Sequence, residues 1–206
     1  MHKKETALTT ETTQPTLISS IFPASKIDTR LRFALLAILG SLLIAISSKI
    51  QVPFYPVPMT MQTFVILTLG MAYGWRLGAV TLLLYLGEGA LGLPVFAGTP
   101  EKGIGLAYML GGTGGYLVGF VLAAVACGWL AERGWDRRPV STALAMLVGN
   151  ALIYVPGILW LGALFGWDKP ILEWGLVPFI FGDVVKLALA AAVLPLAWRT
   201  FGRRES

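Results

Sequence analysis

The chain has 206 residues, of which 56% are hydrophobic and only 13% charged, and its mean hydropathy is +0.73. That charged fraction is about half the ~25% of soluble domains, so a soluble globule is excluded and lipid is the expected solvent. The net charge of +5 does not indicate nucleic acid, because the cations sit at the ends of apolar stretches, as membrane topology requires.

Residues 1–29 read as a polar cytoplasmic tail rich in Thr, Ser and Pro, without the compact apolar core of a signal peptide. Residues 31–48 form the first spanning candidate, entered through Arg30 and Arg32. Residues 49–60 follow as an extended loop, since Pro53, Pro56 and Pro58 cannot lie in a helix interior. Residues 61–73 form a short second span. Gly74, Trp75 and Arg76 then make a tight turn into a third, which ends near Gly92 before Pro94. A Gly-rich loop over 97–112 leads to a fourth span at 113–132 and a charged turn through Arg133 and Arg138. The fifth span is 141–165 and the sixth 176–198, closed by Arg199, Arg203 and Arg204.

The expected fold is therefore an all-α integral membrane protein, a bundle of six transmembrane helices over residues 30–206 with both termini cytoplasmic. Six spans place twelve of the 16 Lys and Arg residues on the side of the termini, three on the other side, and Lys186 inside. That bias orients the termini inward.

The unusual stretch is FIFGDVVKLALAAA, residues 179–192, which holds Asp183 and Lys186 in an otherwise apolar run. Each charge at hydrocarbon depth costs at least ~2.5–3.5 kcal/mol, so such residues are rare unless paired or functional. Three apart on a helix, they share one face. They either neutralise each other as a structural pair or together grip a polar ligand. Glu88, among glycines near the outer end of the third span, faces the same cavity or the water boundary. Asn150 and Tyr154 share a face at i, i+4, which serves either a polar cavity or hydrogen bonds between helices. Gln62 opens the second span, where its amide meets a ligand or caps the helix. In GGTGGY, residues 111–116, Gly115 and Tyr116 stand at a helix start whose backbone N–H groups can face an anion; the glycines equally suit close helix contact. Ala37, Ser41 and Ala45 recur every fourth residue on the first span, a face suited to internal packing or to docking a membrane partner.

No Walker motif and no paired nucleophile and base are present, which excludes ATP hydrolysis by that route and argues against a membrane enzyme. With His2 and Cys127 the only residues of their kinds, neither a disulfide within the chain nor a His/Cys metal centre is expected.

Four stretches together resemble a known family. PVPMTMQTF (56–64), YLGEGALGLPVFAG (85–98), GGTGGYLVGF (111–120) and GDVVKLALA (182–190) are similar to the signature segments of BioY, the biotin-specific substrate-binding S component of energy-coupling-factor (ECF) vitamin transporters. The resemblance covers about residues 31–198. It implies a bacterial cell (plasma) membrane protein with an outward-facing biotin pocket, covered by the loops after the first and third spans. It also implies that Asp183 and Lys186 contact the vitamin. The implied partners are biotin, a transmembrane coupling subunit and two ABC-type ATPases; no cofactor is implied beyond biotin as transported substrate. The family's Ala-x-x-x-Ala docking motif stands here as Ala37-x-x-x-Ser41. Two rival readings are an S component for another small vitamin and a structural membrane subunit that binds no ligand.

Overall fold

The structure is a computed structural model that describes residues 14–22 and 28–202. The cations of the expected tail before residue 14, Lys26, and Arg203 and Arg204 lie outside the described residues. Within them the chain is helical except for one small hairpin and its loops. The elements run α1 (Leu17–Ile21), α2 (Thr29–Lys49), β1 (Gln51–Val52), β2 (Met59–Thr60), α3 (Gln62–Ala90), α4 (Leu106–Met109), α5 (Gly114–Ala131), α6 (Pro139–Phe165), α7 (Ile171–Gly175) and α8 (Val177–Phe201). Five of these are long and apolar enough to cross a membrane: α2, α3, α5, α6, and α8 taken together with the preceding α7.

Helix α3 is not one straight rod. Gly74 has φ 79° and ψ 171°, outside the helical region and in the half of backbone space that glycine reaches without a Cβ penalty. There the chain doubles back. Gln62 Nε2 donates to Tyr85 Oη at 2.7 Å, although 23 residues of straight helix would separate them by roughly 35 Å. The expected turn at Gly74–Arg76 is thus the point where two antiparallel helical arms meet.

Asp28 starts α2 by accepting from the backbone N–H groups of Arg30 (2.7 Å) and Leu31 (3.4 Å). This helix turns Leu35, Leu39, Leu42 and Ile46 outward, each half exposed, and buries Ala37, Gly40, Ser41 and Ile44 against α3. Large apolar side chains on the outside and small ones inside fit a helix wetted by lipid on one face and closely packed on the other. The innermost helix is α5. Its Gly119 lets α6 approach so closely that an added Cβ would sit 2.7 Å from Ile153 Cα.

The loop after α2 is ordered, as expected from its prolines, and is clasped by a two-rung antiparallel ladder with Gln51 opposite Thr60 and Val52 opposite Met59. The region read as a featureless polar tail contains α1. Leu17 is 5% exposed and joins the main apolar core, and Gln14 N–H bonds to Glu132 O at 2.9 Å. The LISSI segment is too short to show a helical apolar period, so only packing against the bundle reveals it.

Candidate functional site

Asp183 and Lys186 lie on one face of α8, two turns into the helix, and both are more than nine-tenths buried. Lys186 Nζ is 3.2 Å from Asp183 Oδ1 and donates to Thr63 Oγ1, on the first arm of α3, at 2.8 Å. Tyr154, on α6, donates its hydroxyl to Asp183 Oδ2. The two charges are therefore paired and also anchored to two other helices, which is how a buried ion pair offsets its desolvation.

The pair borders a largely apolar cavity with a few convergent polar groups, the usual form of a small-molecule site. Tyr116, Phe120, Ile153 and Phe179 form apolar walls around it, and Thr63, Gln62 and Thr113 add polar points. The two long loops supply the cover: Val57 and Pro58 from the hairpin, and Phe96 and Ala97 from the segment after α3. Phe96 stacks on Tyr108 with ring centroids 4.9 Å apart and meets Tyr85 edge-on at 5.4 Å. Lys49, at the end of α2, donates to Phe96 O at 2.8 Å and to Thr99 Oγ1 at 3.1 Å, holding this cover down.

Of the residues singled out from the sequence, Asp183, Lys186, Gln62, Tyr116 and Tyr154 line the cavity. Gln62 spends its amide N–H on Tyr85 Oη, and Tyr116 Oη donates to Gly175 O at 2.8 Å. Three others lie elsewhere. Glu88 does not reach the cavity: its carboxylate accepts from Ser41 Oγ at the contact between α2 and α3. Gly115 packs against α6, where an added Cβ would meet Pro156 O at 2.3 Å, so here the glycine serves helix contact. Asn150 is 9% exposed and off the cavity wall, and its Oδ1 has no hydrogen-bond partner.

The small-residue stripe of α2, read as suited to internal packing or to docking, faces its own bundle. Ala37 is 3% and Ser41 0% exposed, and Ala45 packs on the main core, so this stripe is occupied by the chain's own α3. Small residues admit the nearest helix, and that helix is internal. Thr63, Phe96, Tyr108 and Phe179 were not singled out. Thr63 follows Gln62 directly, but the bond it makes crosses 123 residues and leaves no local mark.

Among the described residues no group of three or more His, Cys, Asp and Glu side chains is placed to hold a metal. The chemistry open to the site is recognition: one anion, one cation and several hydroxyls set in an aromatic chamber.

A family model described as the BioY family matches residues 18–203. The probable biotin transporter BioY of Pyrococcus horikoshii is 38% identical over 151 residues, covering 73% of this chain and 86% of that protein. The biotin transporter BioY of Thermotoga maritima is 36% identical over 152 residues, 73% of this chain and 86% of its own. That of Rhodobacter capsulatus is 36% identical over 173 residues, 77% and 88% respectively. The crystal structure of the S-component for biotin from an ECF-type ABC transporter aligns with a TM-score of 0.68 over 85% of this chain and 95% of that one. At 22% identity this last likeness speaks to the fold.

Proposed function

This chain belongs to the BioY family, and we propose that it is the biotin-capturing S component of an ECF-type uptake transporter in the cell membrane. The observation that carries the reading is the buried Asp183–Lys186 pair, set in an aromatic cavity beneath two loops. Biotin's ureido ring has N–H donors and a carbonyl acceptor on one edge. Asp183 accepts from an N–H, and Lys186, with two of its protons directed to Asp183 and Thr63, offers its third to the carbonyl. The aromatic walls take the apolar ring and the chain of methylenes.

The reversal at Gly74 supports six crossings rather than five, because it divides α3 into two arms. The asymmetry of Lys and Arg then supports cytoplasmic termini and a cavity facing outward. This chain has no phosphate-binding loop, so the energy for inward release comes from partner ATPases through a membrane coupling subunit. The polar residues before α2 remain on the cytoplasmic side in this arrangement.

Calorimetric titration of the purified chain with biotin tests the reading. Saturable 1:1 binding is expected, lost in Asp183→Asn and in Lys186→Ala. Absence of saturable heat, or equal response to unrelated small vitamins, would overturn it.

A further inference from the structure

A second cavity, of about 620 Å³, opens at the opposite end of the bundle, between α1, the first turns of α2 and the Gly74 reversal. Arg32 and Arg76 both line it. Arg32 has no carboxylate partner among the described residues. Its Nη2 makes one long bond to Ile18 O at 3.3 Å, and its Nε is buried with no acceptor among the described residues. A buried donor of a charged group left unpaired is costly, which marks a place for an acceptor. Arg76 is exposed and lies 5.1 Å over the Trp75 ring, with no hydrogen bond among the described residues.

The one acid on the cavity wall, Glu132, bonds backbone rather than either arginine. Its Oε1 accepts from the Trp75 backbone N–H at 3.2 Å, and its backbone carbonyl takes the Gln14 N–H at 2.9 Å. It therefore pins the reversal and α1 in place, and among the described residues it makes no ion pair with either guanidinium group. Two guanidinium forks on one cavity suit an anion with several oxygens, above all phosphate. On the cavity wall Phe33 is 38% exposed, an apolar surface beside the charged groups. Basic pockets between helices at a membrane surface are the usual seat of anionic headgroups.

We infer that this cavity binds a phosphate group, as the headgroup of an anionic phospholipid or as a soluble phosphate. It is separate from the cavity of Asp183 and does not depend on what that cavity holds. Its place in the inner leaflet follows from the orientation proposed above; phosphate binding does not.

The test is thermal denaturation of the full chain in neutral detergent with added phosphatidylglycerol, phosphatidylcholine or inorganic phosphate. Phosphatidylglycerol at saturation is expected to raise the midpoint by roughly 5 °C over phosphatidylcholine. Arg32→Gln/Arg76→Gln should lose that rise. Arg138→Gln/Arg199→Gln, which removes the same charge from exposed positions, should keep it. If inorganic phosphate gives an equal rise, the site stands and its occupant is a soluble phosphate. Equal response to both lipids with none to phosphate, or a rise that survives loss of both arginines, overturns the inference. Should the double variant not fold, Arg76→Gln alone, at an exposed position, must lose at least half the rise.

Discussion

Tyr154 on α6 donates its hydroxyl to Asp183 Oδ2 on α8, while Lys186 holds the other carboxylate oxygen at 3.2 Å. The tyrosine thus orients the one anion of the cavity from across the bundle. In the sequence, Tyr154 suits either a polar cavity or a bond to another helix; the fold gives it both. Tyr154→Phe leaves Asp183 Oδ2 buried without a protein donor. A hydrogen bond to a charged group contributes about 1.5–3 kcal/mol, so biotin affinity is expected to fall roughly ten- to a hundred-fold in calorimetric titration. Unchanged affinity would mean that the phenol gives up the carboxylate when ligand enters.

Stability and binding should separate at the ion pair itself. Removing one member of a buried pair costs about 3–5 kcal/mol, whereas replacing both with apolar residues is often neutral. Asp183→Leu or Lys186→Met alone should lower the thermal midpoint by roughly 10 °C. The double variant should recover most of that loss and still show no heat with biotin. A double variant that binds would return the pair to a purely structural role.

Gly115 makes a steric statement that can be checked. An added Cβ would lie 2.3 Å from Pro156 O and 2.4 Å from Trp160 Cβ, and a backbone oxygen cannot rotate aside. Gly115→Ala should therefore destabilise the chain by about 1–3 kcal/mol, seen as a lower midpoint. Gly87, also helical, has nothing within 4 Å of the same position. Gly87→Ala should leave the midpoint unchanged or raise it slightly, since alanine loses less backbone entropy.

Asp136, in the turn between α5 and α6, sets a pH dependence. It is 0% exposed, accepts from Trp198 Nε1 at 2.5 Å, and has no partner at Oδ1. Burial pushes its carboxyl up from 3.8 to about 6, partly opposed by the Trp198 bond and the charge of Arg137. A carboxyl raised in the folded state binds its proton more tightly there than when unfolded. Its stabilising contribution is full below about pH 4 and is lost as pH rises through about 6, a change of about 3 kcal/mol. The thermal midpoint should fall over that window. Asp136→Asn, which keeps an acceptor for Trp198, should flatten the curve and exceed the natural chain at pH 7–8. A midpoint that rises from pH 4 to 7 in the natural chain alone would contradict this.

Much of the outline can be read from residue order. Glycine and proline punctuation locates the reversal at Gly74 and the loop of Pro53–Pro58, because those residues act through their own backbones. Asp183 and Lys186 stand out because a charge in an apolar run is expensive wherever the run folds. The faces of the helices are another matter. Lipid and core are equally apolar, so the period that separates inside from outside in a soluble helix is nearly absent here. Ala37 and Ser41 therefore suit an outer docking stripe as well as an inner seam, and only their packing on α3 decides. Glu88 is resolved in the same way, by the Ser41 hydroxyl it meets.

What the sequence determined alone is the solvent of this protein, the family it resembles and the two charges it keeps in oil, since each depends on residue identity and spacing along one helix. The tertiary structure decided which side chains surround those charges. Thr63, Tyr154 and Phe96 reach the cavity from three other segments. Contacts between residues so far apart in the chain are set by how the helices pack, and packing is a property of the whole bundle.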